Sequence, residues 1–269
     1  MQALLNTAIK AARKAGDIAQ MNFDRINASD IKTKSYNEFA TFVDEQAEKA
    51  IKDIIQSRYP DHGIIAEESQ PKKSDKFDYV WIIDPLDGTT NYIHSFPVYA
   101  VSIALRVKGL LEIAVIYDPS RQELFTAMRG KGSQLDGRKI RVSKQSTLEG
   151  ALLGTGFPYR QKNDSLNVYL EIFSEFSQKV AGIRRPGAAA LDLAYVACGR
   201  LDGFWEFGLN PWDIAAGILL IQESGGLFSN LIPNQDMLES GNIIAGNQRV
   251  FGEMKKIISK YDSKLVQLS

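Results

Sequence analysis

The chain has 269 residues, 44% hydrophobic and 24% charged, and its 32 Lys+Arg balance 32 Asp+Glu. A zero net charge leaves no electrostatic footprint for nucleic acid, and no apolar run approaches transmembrane length. The single cysteine, Cys198, excludes an intrachain disulfide and points to a reducing, cytoplasmic setting.

Leu4, Leu5, Ala8, Ile9, Ala12, Ala15, Ile18, Ala19 and Phe23 recur at helical spacing and predict a helix over 2–26. Lys10, Arg13 and Lys14 interrupt it, so it lacks the apolar core of a signal peptide. A second helix is expected over 43–58, where Pro60 stops it. Ala66-Glu67-Glu68-Ser69 follows the apolar pair Ile64-Ile65 and by itself reads as a solvated acidic loop.

Tyr79 to Ile83 form an apolar run, expected as a strand buried on both faces. The strand is expected to stop at Asp84, because Pro85 has no N–H to offer a central ladder. Asp87, Gly88, Thr89 and Thr90 follow, placing two carboxylates beside a glycine turn. A lone D-x-x-D is more often an Asx-capped turn, but the preceding buried strand and the following G-T-T weigh against that here. Carboxylates attract hard cations and bare N–H groups attract phosphate, which together suggest metal-assisted phosphate chemistry.

Val98–Val107 and Leu110–Tyr117 flank Lys108-Gly109 and read as a hairpin, with short strands and glycine turns over 122–142. From 150 onward, strands are expected at 151–155, 182–185 and 203–207, alternating with helices at 165–180, 188–198 and 211–223. A strand near 242–245 and a helix over 248–259 follow. The pattern implies layered sheets and helices in one unit spanning 1–269.

Within the second half, Asn210 suits an N-cap, Pro211 the first helical position and Asp213 the third, where the dipole favours a carboxylate. A capped helix explains this segment alone, yet a two-metal site beside Asp84 and Asp87 needs a third acid. Gly187-Ala188-Ala189-Ala190 opens a helix with small residues, consistent with tight packing or with close approach to a phosphate. The Gly154-x-Gly156 pair lacks the rest of a dinucleotide fingerprint, and His62 and His94 lie in no zinc spacing.

W-I-I-D-P-L-D-G-T-T-N-Y (81–92) and W-D-I-A-A-G-I-L-L-I-Q-E-S-G-G (212–226) resemble the two signatures of the inositol monophosphatase family. Residues 64–69, 92–105, 154–159 and 187–207 are similar to its bacterial members as well. The resemblance implies an α+β fold, a layered αβαβα sandwich, and a lithium-sensitive, Mg²⁺-dependent phosphomonoesterase that commonly forms homodimers. It implies that Glu67, Asp84 and the Leu86 carbonyl hold one Mg²⁺, and that Asp84, Asp87 and Asp213 hold a second. Glu67 would also reach a third ion through water. Thr89 and Asp44 would orient and deprotonate the attacking water. Gly88 and Thr89 would bind phosphate, with Lys34 near, while Asp87, Gly187, Ala189, Glu206 and Asp213 would surround the polyol.

Two departures stand out. The stretch Asn37-Glu38-Phe39-Ala40-Thr41 carries Glu where the family has Asp, and Gly187-Ala188-Ala189 lacks the usual hydroxyl. The first bears on Lys34 placement and the second on substrate preference. The substrate implied is inositol 1-phosphate or a similar small polyol phosphate, with fructose 1,6-bisphosphate and histidinol phosphate as alternatives. Some bacterial members are associated with RNA polymerase and antitermination complexes, which admits a non-catalytic partner role. The L-D-G-T string also resembles an aspartyl-phosphate motif, but Pro85 stands where that motif needs Asp.

Overall fold

The computed structural model describes residues 1–35, 38–69, 76–158, 163–232 and 235–266. Helix α1 (Gln2–Asn22) precedes a ribbon of β1 (Ile31–Ser35) and β2 (Glu38–Thr41). Helix α2 (Phe42–Gln56) leads to β3 (Gly63–Ala66), β4 (Tyr79–Asp87) and the short α3 (Thr89–Ile93). Then come β5 (Ala100–Val107), β6 (Leu110–Asp118), β7 (Glu123–Met128), β8 (Gly132–Leu135) and β9 (Arg138–Lys139). Among the described residues these form a seven-stranded sheet in the order β3-β4-β5-β6-β7-β8-β9. The second half runs β10 (Leu152–Thr155), α4 (Asn163–Ser177), β11 (Gly182–Arg184), α5 (Ala189–Ala197), β12 (Gly203–Glu206) and α6 (Pro211–Ser224). It ends with β13 (Leu227–Ser229), α7 (Met237–Ser240), β14 (Ile243–Gly246), α8 (Gln248–Ile258) and α9 (Asp262–Val266). Its five-stranded sheet has the order β11-β10-β12-β14-β13.

Strand alternation sorts the core into layers. Trp81 and Ile83 of β4 face Ala8, Ala12 and Ala15 of α1 and Ile51 and Ile55 of α2, while Ile82 points to the opposite layer. That opposite layer is α5 and α6, which pack between the two sheets against Phe204, Ile243 and Ala245 of the smaller one. Trp205 and Ile244 alternate outward onto Tyr169, Ile172 and Phe176 of α4 and Val250 and Met254 of α8. The result is the αβαβα order implied by the resemblance. Helix α6 has no polar face because both its sides are covered: Ile214 through Ile221 are all buried. Gly217 is required within it, since a Cβ there would lie 2.5 Å from Leu193 of α5. Among the described residues, no helix is long and apolar enough to cross a membrane.

Several elements differ from the sequence expectation. Strand β4 does not stop at Asp84. It pairs Asp84 with Ser102 and then Asp87 with Ala100, so one extra residue bulges out on β4. Pro85 sits in that bulge, where no ladder N–H is demanded. Helix α1 ends at Asn22 rather than 26, because Phe23 turns away to stack on Tyr99 at 5.3 Å. Helix α4 runs Asn163–Ser177, two to three residues earlier than expected. Strands β1, β2, β3 and β13 are too short to show a period in sequence. The Lys108-Gly109 hairpin forms as expected, with φ +48° and +85° at the two turn residues.

The outer edge of the larger sheet carries an aromatic stack. His62 lies between Tyr59 (4.8 Å) and Tyr79 (4.6 Å), and the Trp81 indole N–H donates to His62 Nδ1 at 3.0 Å. An accepting Nδ1 must be unprotonated, and burial lowers the imidazole pKa below its ordinary value, against the Asp61 charge. A lowered folded pKa means the unfolded chain binds the proton first. The stack's contribution is therefore present above the ordinary histidine range near 6.5 and is lost as pH falls below it. Thermal melts from pH 8 to 5 should show a steeper decline for the native chain than for His62→Phe; equal slopes would remove His62 as the cause.

Candidate active site

The acids converge where β3, β4 and β12 end. Strand β3 runs parallel to β4, and the Glu67 N–H continues their ladder by donating to the Ile83 carbonyl at 3.3 Å. The β4 bulge places Asp84 and Asp87 together on one side of the chain instead of three residues along a regular strand. Asp213 comes from the first turn of α6, where its Oδ2 accepts the Asn210 N–H at 2.7 Å. Ser102, paired with Asp84 on β5, donates its hydroxyl to the Trp212 carbonyl at 3.1 Å and so ties α6 beside the β4 acids. One oxygen each of Asp84, Asp87 and Asp213 lies within 4.8 Å of the others.

These carboxylates are 1%, 9% and 5% exposed, respectively. Burial, and then the charges of Glu67, Asp87 and Asp213, hold the Asp84 carboxyl well above its usual range. The remaining lone pairs are partly satisfied by backbone: Leu86 N–H donates to Asp84 Oδ1 (2.9 Å) and Ala190 N–H to Asp87 Oδ2 (2.7 Å). An all-oxygen set of this density suits a hard divalent cation, which would offset the mutual repulsion.

Gly88 follows with φ +94°, and a Cβ there would lie 2.8 Å from the Val98 carbonyl. Only glycine fits that turn. The Thr89 hydroxyl lies 3.0 Å from Asp44 Oδ1 and 3.1 Å from the Leu86 carbonyl, two acceptors for its one proton. Asp44 is fully buried at the third position of α2, and its Oδ2 accepts both the N–H (2.8 Å) and the hydroxyl (2.6 Å) of Thr41. Burial raises the Asp44 carboxyl, and the Thr41 and Thr89 bonds oppose that rise.

A cavity of about 310 Å³ opens above these residues, walled by Glu67, Asp84, Leu86, Asp87, Gly88, Thr89, Gly187, Ala189, Glu206 and Asp213 among others. Glu206 ends β12 and is 7% exposed. Gly156 makes room for it, since a Cβ there would lie 2.0 Å from Glu206 Oε1. This explains Gly156 of the pair that failed as a nucleotide fingerprint; Gly154 instead makes room for Leu201, 2.8 Å from where its Cβ would lie. Lys34 and Asp44 are not on the cavity wall. Lys34 Nζ instead pairs with Glu67 Oε1 at 3.1 Å and with Glu68. Burial would lower the Lys34 pKa, but the two carboxylates hold it up at about 12, while burial pushes Glu68 up to about 7. Asn37 and Tyr159, used in the sequence comparison, lie outside the described residues.

Two wall or support residues, both within stretches similar to the family, have no role assigned from the sequence. Ser102 is a lone hydroxyl in an apolar strand. Asp192 is a lone carboxylate in the apolar α5, 1% exposed, with Oδ1 unpartnered. Burial and the charges of Glu206 and Asp87 raise its carboxyl well above the usual range. A polar residue interrupting a buried element was the available signal for both.

A family model described as the inositol monophosphatase family matches residues 1–263. A Pseudomonas aeruginosa protein called Nus factor SuhB is 51% identical over 93% of this chain and 94% of its own length. The structure of extragenic suppressor protein suhB from Bartonella henselae superposes with TM-score 0.91 at 39% identity, over 96% of this chain and 99% of that one. Inositol monophosphatase from Anabaena superposes with TM-score 0.85 at 38% identity, over 96% of each chain.

Proposed function

The chain belongs to the inositol monophosphatase family, and from that premise we propose that it is a Mg²⁺-dependent phosphomonoesterase acting on inositol 1-phosphate or a similar small polyol phosphate. The observation that carries this reading is the buried triad Asp84, Asp87 and Asp213, which shares one cavity with Thr89, whose hydroxyl is backed by Asp44 behind the wall. Glu67, Asp84, the Leu86 carbonyl, Asp87 and Asp213 would hold two ions, with a third reached from Glu67 through water. Bound Mg²⁺ supplies the positive charge that offsets the phosphoryl oxygens and acidifies the attacking water.

The chain's own groups do the rest. Thr89 Oγ1, on the wall, takes a proton from the attacking water as its own passes to Asp44 Oδ1. Thr41 keeps Asp44 in place by bonding its other oxygen. Gly88 and Thr89 N–H groups face the phosphate, and Lys34 acts through Glu67 and Glu68, orienting the acids rather than meeting substrate. Gly187 and Ala189 leave space for a ring, and Glu206 accepts hydrogen bonds from its hydroxyls. Phosphate-ester hydrolysis demands up to about 10²¹-fold acceleration, far beyond the roughly 10²–10⁴-fold of one general base. Charge neutralisation and positioning therefore dominate, and an acid-rich site serves that need.

Phosphate release should be measured from inositol 1-phosphate, fructose 1,6-bisphosphate and histidinol phosphate, with Mg²⁺ and after chelation. Inositol 1-phosphate should turn over fastest, and chelation should abolish turnover. Undiminished hydrolysis without metal, or no hydrolysis of any substrate with it, would overturn the reading. The name Nus factor, carried by a relative of 51% identity, favours a second reading: a role with RNA polymerase or antitermination factors beside catalysis. A homodimer in the cytoplasm is proposed from the family resemblance alone.

A further inference from the structure

The rim of the cavity holds a group that phosphate hydrolysis does not use. Arg185 is the one cationic side chain among the described residues on the wall; the other charged residues there are carboxylates. Its guanidinium carbon lies 5.4 Å from the centroid of the Phe157 ring, which also lines the cavity and is 40% exposed. The backbone beside it is pinned: Asn91 Nδ2 donates to the Pro186 and Val98 carbonyls, each at 2.8 Å. Asn91 belongs to α3, directly after the β4 acids, so Arg185 is held in register with the reacting end. Gly187 (φ +89°) completes the placement, since a Cβ there would lie 3.3 Å from Arg185 Nη1 and 3.2 Å from Asn91 Nδ2. A guanidinium stacked on a ring keeps its planar fork for a carboxylate or phosphate and loses little side-chain freedom on binding one.

We propose that Arg185, on its Phe157 platform, is a specificity-determining residue that receives a second oxyanion on the leaving alcohol. The site then accepts phosphorylated hydroxy acids as well as neutral polyol phosphates. This rests on the phosphomonoesterase reading and extends its substrate class. Without a rim cation, a second negative charge would enter a cavity walled by Glu67, Asp84, Asp87, Asp192, Glu206 and Asp213 and be disfavoured.

The test compares two substrates that differ by one group: glycerol 2-phosphate and 2-phosphoglycerate, in which a carboxylate replaces a hydroxymethyl. The readout is the ratio of their kcat/KM values with Mg²⁺, for the native chain, Arg185→Gln, Arg185→Lys and Phe157→Leu. Arg185→Gln should lower the ratio of acid to neutral substrate by about tenfold, mostly through KM of the acid. Arg185→Lys should recover part of it, because the charge returns without the fork. Phe157→Leu should lower it less. A ratio unchanged by Arg185→Gln, including equal losses on both substrates, would overturn the proposal and leave Arg185 as a counter-charge to Asp192. Hydrolysis of inositol 1-phosphate with neither of these two substrates turned over would overturn this extension alone; hydrolysis of none of the three would overturn the phosphomonoesterase reading, and this extension with it.

Discussion

Replacing Asp84, Asp87 or Asp213 by Asn is expected to cut phosphate release by on the order of 10³-fold or more, while the metal-free protein becomes more stable. The two effects have one cause. The three carboxylates lie within 4.8 Å of one another and are nearly excluded from water. Removing one charge removes a metal ligand, and also removes repulsion that the backbone bonds oppose but that still leaves the Asp84 carboxyl raised in the metal-free state. Asparagine can retain the local bonds, since one oxygen remains to accept the Leu86, Ala190 or Asn210 N–H. The pH dependence follows from the raised Asp84 carboxyl. A folded pKa above the unfolded one means the metal-free fold is most stable below the ordinary carboxylate range near 4 and loses stability as pH rises through the folded value. Melting curves in chelator should show Asp84→Asn above the native chain at neutral pH, with the gap closing on acidification. A lower melting temperature for Asp84→Asn at neutral pH would show that the carboxylate stabilises the empty fold and that the cluster is not a cation site kept at a cost. Unchanged turnover in all three variants would remove the metal assignment.

Thr89→Ala and Asp44→Asn are expected to lower kcat by about 10²–10⁴-fold with little change in KM. Asp44 is off the cavity wall and acts only through Thr89, so substrate binding should not sense it. The asparagine exchange is the sharper test. Both oxygens of Asp44 accept bonds, one from Thr89 and the other twice from Thr41. An amide oxygen can serve Thr41, but its NH₂ then faces Thr89 and reverses that bond. The Thr89 proton is driven to the Leu86 carbonyl and can no longer pass to residue 44. The double variant should lose no more than the worse single one, because the two residues act as one unit. A loss confined to KM, or additive losses, would contradict the relay.

The unequal legibility of this protein has physical reasons. Long periodic helices such as α1, α2 and α8 were readable because a packed stripe must repeat every 3.6 residues. Helix α6 was readable for its start: Asn210, Pro211 and Asp213 obey rules that act within one turn. The long signatures around Asp84 and Asp213 carried the family and the identity of the acids. Strand β4 runs on past Pro85, because a missing N–H ends a ladder only if the register is regular, and the bulge is a property of the pairing with β5. The short strands β1, β2, β3 and β13 exist through their partners and leave no period of their own.

What the sequence determined alone is therefore the local chemistry: which residues can ligate, cap, turn or bury a face. The tertiary structure decided which of those residues meet. Asp213 lies 126 positions after Asp87, and only the packing of α6 between two sheets, with Ser102 bonded to Trp212, brings it within 4.8 Å of the β4 acids. The same packing withdrew Lys34 to Glu67 and Glu68, placed Asp44 behind Thr89, and set Arg185 against Phe157 at the rim. Local preferences act over a few residues and are written in neighbouring side chains. Distances between remote residues depend on how whole layers stack, and that is settled by burial summed over the chain.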